Sequence, residues 1–250
     1  MTSGSARKAT LILLTLLVLA GLLIFGPALV RLVRGDERRD AWAPQWRKDF
    51  ILSAEARPDP APQESATPAS LILLGARMCA RKAARYDASY RTISYPMGDV
   101  PDDQGACTDV IVRSLRAAGI DLQQLIHEDM LRNFSTYPNT WGLSAPDPNI
   151  DHRRAPNQMC YLRRHWQELP TRADPSGPDH WLPGDLVYWH LPSGFLHCGV
   201  VSDRIGASGL PMVIHNLSVC KEEDCLGRWK IIAHFRYPDN MAKEVSEPEH

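Results

Sequence analysis

The apolar pattern changes three times before the folded part of the chain begins. Residues 9 to 30, ATLILLTLLVLAGLLIFGPALV, run without a charge, and about 20 such residues in a helix cross the hydrocarbon core of a bilayer. Arg7 and Lys8 precede the run, while Arg31, Arg34, Arg38 and Arg39 follow it. The run is longer than the apolar core of a secretory signal, and GPA at 26 to 28 is a weak cleavage site,. The pattern therefore predicts an uncleaved transmembrane anchor over 9–33 behind a short cytoplasmic N-terminus, 1–8. Positive charge on both flanks leaves its orientation open. Residues 34–69 are polar, with Trp42 and Trp46 followed by Pro58, Pro60, Pro62 and Pro68 among Ala, Ser and Glu. That composition cannot bury enough apolar area to fold, and it predicts an extended tether. Helical spacing then returns in LILLGARMCARKAARY, where Leu71, Leu74, Met78 and Ala80 share a face,. The folded domain is expected to begin near Ser70.

Further along, QGACTDVIVRSLRAAGIDL, residues 104 to 122, places Ile111, Leu115 and Ala118 on one helical face. Asp109 suits the first turn and Gly119 supplies a stop, so Cys107 falls at the helix N-terminus. From Trp181 the period shortens to two. LPGDLVYWHL, HCGVVSD, PMVIHN and WKIIAHFRY read as strands, with PSG and DRIGASGLP as connections,. Helices first and antiparallel strands afterwards predict an α+β domain over 70–238, followed by a disordered tail, 239–250. Between the halves, residues 139–159 form a polar, proline-broken stretch that reads as one long loop; loops of that length tend to be functional or disordered,.

Composition narrows the function. A chain of 250 residues that is 44% hydrophobic holds one well-cored domain and some extra length,. A net charge of −1 and a pI near 6.7 provide no basic field, which argues against a nucleic-acid partner,. Six cysteines are too few and too scattered for a disulfide scaffold, and no pair of CxxC motifs marks a zinc ribbon,. Cys220 and Cys225, in CKEEDC, are close enough for a small-loop disulfide in an oxidising space. A metal site built from that pair and His215 lacks the usual ligand spacing. Cys79 and Cys160 read as packing residues, and Cys198 alternates away from His197 into the sheet.

Cys107 carries the candidate chemistry. Unpaired amides at a helix start lower a thiol's pKa from about 8.5 and can hold an oxyanion. Gly105 leaves room for a substrate. Cysteine is also among the most commonly buried residues, so Cys107 alone decides nothing. A thiol nucleophile needs a base within hydrogen-bond reach and a group that orients the base. Alternation places His197, Gly199 and Val201 on one face of their strand, with Val213 and His215 sharing a face of the next. Antiparallel pairing brings the two imidazoles together, with Gly199 leaving space beside His197. Asn216 points to the opposite face, so His215 is the expected partner. In the middle loop Asp151, His152, Arg153 and Arg154, beside Asp147, form a set suited to gripping the charged ends of a short peptide,. A solvated loop accounts for the same residues.

A cysteine opening a helix, then PGDLVYW, HCGVV and VIHN in that order, resembles the NlpC-type cell-wall peptidases of the papain-like superfamily over about residues 98 to 218. YPMGDVP, the middle block and WKIIAHFRY also resemble an uncharacterised bacterial envelope family known only as a domain of unknown function. The NlpC resemblance implies a papain-like fold, with a Cys-bearing helix packed on a small antiparallel sheet. It makes Cys107 the nucleophile, His197 the base and His215 the orienting group, with no cofactor and no metal. The implied substrate is an amide or peptide bond of peptidoglycan. With the anchor, it implies a single-pass inner-membrane protein whose catalytic domain faces the periplasm or extracytoplasmic space. The alternatives are a non-catalytic module binding cell-wall peptides, a thiol acyltransferase with the same triad, or a structural role in an envelope complex. Two departures stand out: ACTDV replaces the family's DCSGF, moving the acidic residue from before the cysteine to Asp109, and the Cys107 to His197 span is long.

Overall fold

The computed structural model describes residues 67–174 and 181–238. The anchor expected over 9–33, nearly all of the 34–69 tether and the 239–250 tail lie outside the described residues. Among the described residues, no helix is long and apolar enough to cross a membrane.

Helix α1 (Pro68–Lys82) begins where Thr67 caps it, its hydroxyl accepting from the Ser70 amide at 3.2 Å, with proline in the first turn,. Its buried stripe is Ile72, Leu73, Ala76 and Cys79, not the expected face of Leu71, Leu74, Met78 and Ala80. Gly75 explains the rotation. A Cβ there would lie 2.8 Å from both Ser114 Cα and Ala117 Cβ, so α1 turns its small residues toward α2 (Cys107–Ala117). Helix α3 (Leu122–Asn133) is capped by Asp121, whose carboxylate accepts from the Gln123 amide. The polar stretch over 139–159 is not one loop: a 3-10 turn (Asp151–Arg153) and the first turn of α4 (Ala155–His165) occupy its end. Pro156 sits in that first turn, where a missing amide costs nothing,.

The main sheet is antiparallel throughout, in the order β3-β8-β4-β5-β6-β7. Its strands are β3 (Gln167–Glu168), β4 (Leu186–His190), β5 (Leu196–Ile205), β6 (Pro211–Asn216), β7 (Cys220–Glu223) and β8 (Lys230–Arg236). A short parallel pair, β1 (Arg85–Tyr86) with β2 (Gln104–Gly105), precedes the Cys107 helix. The domain is thus a mixed α+β structure. Leu186, Tyr188, Cys198, Val200 and Ile214 face the helices, while Val187, Trp189, Val201 and Val213 meet Trp181 and Leu226 on the other side. Burial on both faces explains why LVYW in β4 is continuously apolar,.

Strand β7 lies within CKEEDC, and it carries apart the two cysteines that are close enough in sequence for a disulfide. Cys220 packs in the helix-side core with Cys79, Cys225 on the opposite face with Trp189 and Leu226, and both thiols are free. The small-loop disulfide is therefore not formed.

Candidate active site

Cys107 is the first residue of α2, and the chain leading into it is pinned from three directions. The Ala106 amide donates to Asp109 Oδ2 at 2.6 Å. Asn216 Nδ2 donates to the carbonyls of Gly105, at 2.8 Å, and Ala84. Gly105 itself adopts φ +153°, and a Cβ there would crowd Asp109,. Asp109 is in turn gripped by Arg153 through Nε to Oδ1 at 2.8 Å and Nη2 to Oδ2 at 2.9 Å. The acidic residue that follows the cysteine is thus a cap and an anchor, fixing the helix start.

Cys107 is only 5% exposed. The Cys198 thiol, working against burial and together with the His197 imidazole and the Cys198 main-chain amide, holds the Cys107 thiol well below its ordinary pKa. Cys198 carries the opposite shift: burial and the neighbouring Cys107 push it up, so it stays a protonated donor. Cys198 does alternate away from His197, as expected, and on that face it meets Cys107.

His197 Nε2 lies 2.9 Å from His215 Nδ1, and His215 Nε2 lies 3.0 Å from Glu223 Oε2. An ionised carboxylate only accepts, so Glu223 fixes the proton of His215 on Nε2. That leaves His215 Nδ1 to accept from His197 Nε2, and His197 Nδ1 for Cys107. Burial opposes ionisation of Glu223, but hydrogen bonds from Arg228, Lys221 and His215 prevail and bring its carboxyl down to about 2. Burial, with His197 adding to it, brings His215 down to about 4 and keeps it neutral near pH 7. Gly199 makes the pairing possible: it stands opposite His215, and a Cβ there would lie 2.6 Å from Val213 Cγ1 and 3.1 Å from His215 Cβ. Trp189 stacks on His197 with centroids 5.6 Å apart, and Trp229 meets both rings edge-on. Tyr86, on the strand paired with Gly105, is close enough for its hydroxyl to feel the Cys107 charge after burial has raised its pKa.

The structure buries three of the four residues expected to clamp a substrate. Asp151, His152 and Arg153 are 1%, 2% and 7% exposed and belong to the interior. Arg153 spends its donors on Asp109 and on the carbonyls of Ser89 and Asp87. Asp151 accepts from Arg154 and the Asp147 amide. Burial, reinforced by Arg116, pushes His152 down to about 3, so it is a neutral core residue. Arg154 is half-buried and faces a groove that Asp151 also lines. His215, Glu223 and Cys225 also bring their ligand atoms within 4.8 Å of one another, a set able to hold a cation. Glu223 already serves Arg228, Lys221 and His215 there, and the Cys225 thiol is pushed up to about 12 by burial and by Glu223.

The family model described as "Domain of unknown function (DUF1287)" matches residues 73–237, from within α1 to the end of β8. The chain belongs to this family. The DUF1287 domain contains every member of the Cys107 to Glu223 chain, the Asp109–Arg153 anchor and the Arg154 groove. It is also similar to "Uncharacterized protein YijF" of Escherichia coli (strain K12), 43% identical over 187 residues, 74% of this chain and 90% of that protein.

Proposed function

We propose that this DUF1287 domain is a cysteine hydrolase of the NlpC type, with a papain-like arrangement of helix and sheet, acting on amide or peptide bonds. The observation that carries the reading is the His197 imidazole, which joins the Cys198 thiol in lowering the pKa of the helix-start Cys107 and lies 2.9 Å from His215, itself held by Glu223. Its chemistry follows from the geometry. His197 Nδ1 takes the Sγ proton, and the Cys107 thiolate attacks the substrate carbonyl carbon. The first-turn amides of α2 face the developing oxyanion. His197 then gives its proton to the leaving amine, which departs and leaves a thioester on Cys107. A water molecule, deprotonated by His197, attacks the thioester; the carboxylic acid leaves and the thiol regains its proton.

Peptidoglycan is the proposed substrate, and the resemblance of the ordered motifs together with the apolar run over 9–30 supports it. On this reading the domain works outside the inner membrane, tethered to it. The low exposure of Cys107 favours one competing reading, a module that binds wall peptides without cutting them. An acyltransferase would share every step up to the thioester. Incubation of the full-length protein with peptidoglycan fragments, acid quenching and mass spectrometry separates these readings. A thioester on Cys107 with release of amine, absent in Cys107→Ala, is the expected result. Fragments that bind but stay intact, with no adduct, would establish the binding module, and transfer to an added amine in preference to water would establish the acyltransferase.

A further inference from the structure

A small groove, open to solvent, lies between α3, the 3-10 turn that follows it (Phe134–Thr136) and the start of α4. Its apolar wall includes Met130, Phe134 and Leu143. Arg154, at the N-cap position of α4, and Asn157, in the first turn of that helix, both line it. The Arg154 guanidinium stacks 4.0 Å over the Trp141 ring and donates through Nη1 to Asp151 Oδ1 at 2.9 Å. Its other N–H groups have no protein acceptor among the described residues. Asn157 is 1% exposed; its Nδ2 donates to the Asp151 carbonyl at 3.2 Å, and its Oδ1 has no partner. Burying an acceptor without a donor is costly, and a small shift of the Asn157 side chain toward an N–H or O–H in the groove it lines would satisfy it,. Asp151 also lines the groove but cannot supply one, because its carboxylate only accepts, from Arg154 and the Asp147 amide,.

We infer that this groove binds a carboxylate whose neighbouring carbon carries an N–H, the chemistry of an N-acylated amino acid or of a peptide's C-terminal residue. The carboxylate meets the unused donors of Arg154, the N–H meets Asn157 Oδ1, and a short apolar side chain rests on Met130, Phe134 and Leu143. The groove is small and open to solvent, so it suits a single residue rather than a length of chain. The groove adjoins the proposed active site through Gln158, next to Asn157, which donates to the Thr108 carbonyl in the first turn of the Cys107 helix. The inference goes beyond the proposed hydrolase and stands whether or not Cys107 is a nucleophile.

Calorimetric titration tests it on full-length protein carrying Cys107→Ala, so that no turnover intrudes. The probes are N-acetylalanine in both enantiomers, with the methyl ester as the form lacking the charge. At least one enantiomer should bind saturably, and binding should weaken by about tenfold or more with the ester, with Arg154→Met and with Asn157→Leu. Asn157→Leu removes the orphan acceptor and should leave the melting temperature close to that of the parent. Asn157→Asp, nearly isosteric, sets a negative charge against the carboxylate and should also abolish binding. Absence of saturable binding by either enantiomer, or binding that survives the Arg154 and Asn157 substitutions, would overturn the inference.

Discussion

Replacing Arg153 by methionine removes one half of an ion pair whose side chains are both only 3% exposed. The guanidinium makes two bonds to Asp109, at 2.8 and 2.9 Å, and two more to the carbonyls of Ser89 and Asp87. Without it the Asp109 carboxylate stays buried with the Ala106 amide as its remaining protein donor. Losing one partner of a buried pair costs about 3–5 kcal/mol. In a domain of this size each kcal/mol moves the melting temperature by about 2–4 °C, so Arg153→Met should melt roughly 6–20 °C below wild type. Arg153→Met/Asp109→Asn should cost less than the sum of its single substitutions, with a coupling of about 1–3 kcal/mol. Thermal and urea unfolding of the three variants measure both quantities. An Arg153→Met protein that melts within about 2 °C of wild type and loses only substrate affinity would refute the structural role and restore Arg153 to a substrate clamp.

Glu223→Ala frees the proton of His215 from its fixed nitrogen and should slow alkylation of Cys107 by about tenfold, the worth of one charge-assisted hydrogen bond. Glu223→Gln, whose amide oxygen still accepts, should recover most of that rate; an unaltered rate in Glu223→Ala would detach the residue from the site. Gly199→Ala places a methyl 2.6 Å from Val213 Cγ1 and should destabilise the domain by about 1–3 kcal/mol of overpacking, read by urea unfolding,. A non-reducing peptide map should find no link between Cys220 and Cys225, whose thiols lie in different cores. His215 and His152 titrate in the folded state near about 4 and about 3 rather than at the ordinary 6.5. The unfolded chain therefore takes up protons that the folded one refuses, and stability, full above about pH 6.5, should fall as the pH drops toward 4. Urea midpoints that do not move over that range would contradict neutral burial.

Much of the frame is legible in the residues because each element obeys one period. The Cys107 helix has a clean apolar face, and the strands of β4, β5, β6 and β8 are bounded by turn residues. The parts that were not legible depend on pairing across long separations. Asp151, His152 and Arg153 look like surface chemistry because charge in a sequence does not report burial; the partner that neutralises Arg153 stands 44 residues upstream. Helix α4 begins inside a polar, proline-containing run whose proline serves as a start and not a break,. Strand β7 has only one fully buried residue and no alternating apolar side chains, so Glu223 had no visible route to His215 until pairing put Glu223 opposite Val213. Asn216 was rightly assigned to the face away from His215, yet its task of holding the Gly105 carbonyl requires the helix to be in place.

The most direct test of the activated thiol is the pH dependence of Cys107 alkylation, resolved by mass spectrometry in the full-length protein and in His197→Ala. The geometry predicts that wild-type Cys107 reacts well below the free-thiol value of about 8.5 and that His197→Ala loses this low-pH reactivity. A Cys107 that reacts only in the free-thiol range, or one indifferent to His197, would contradict the account.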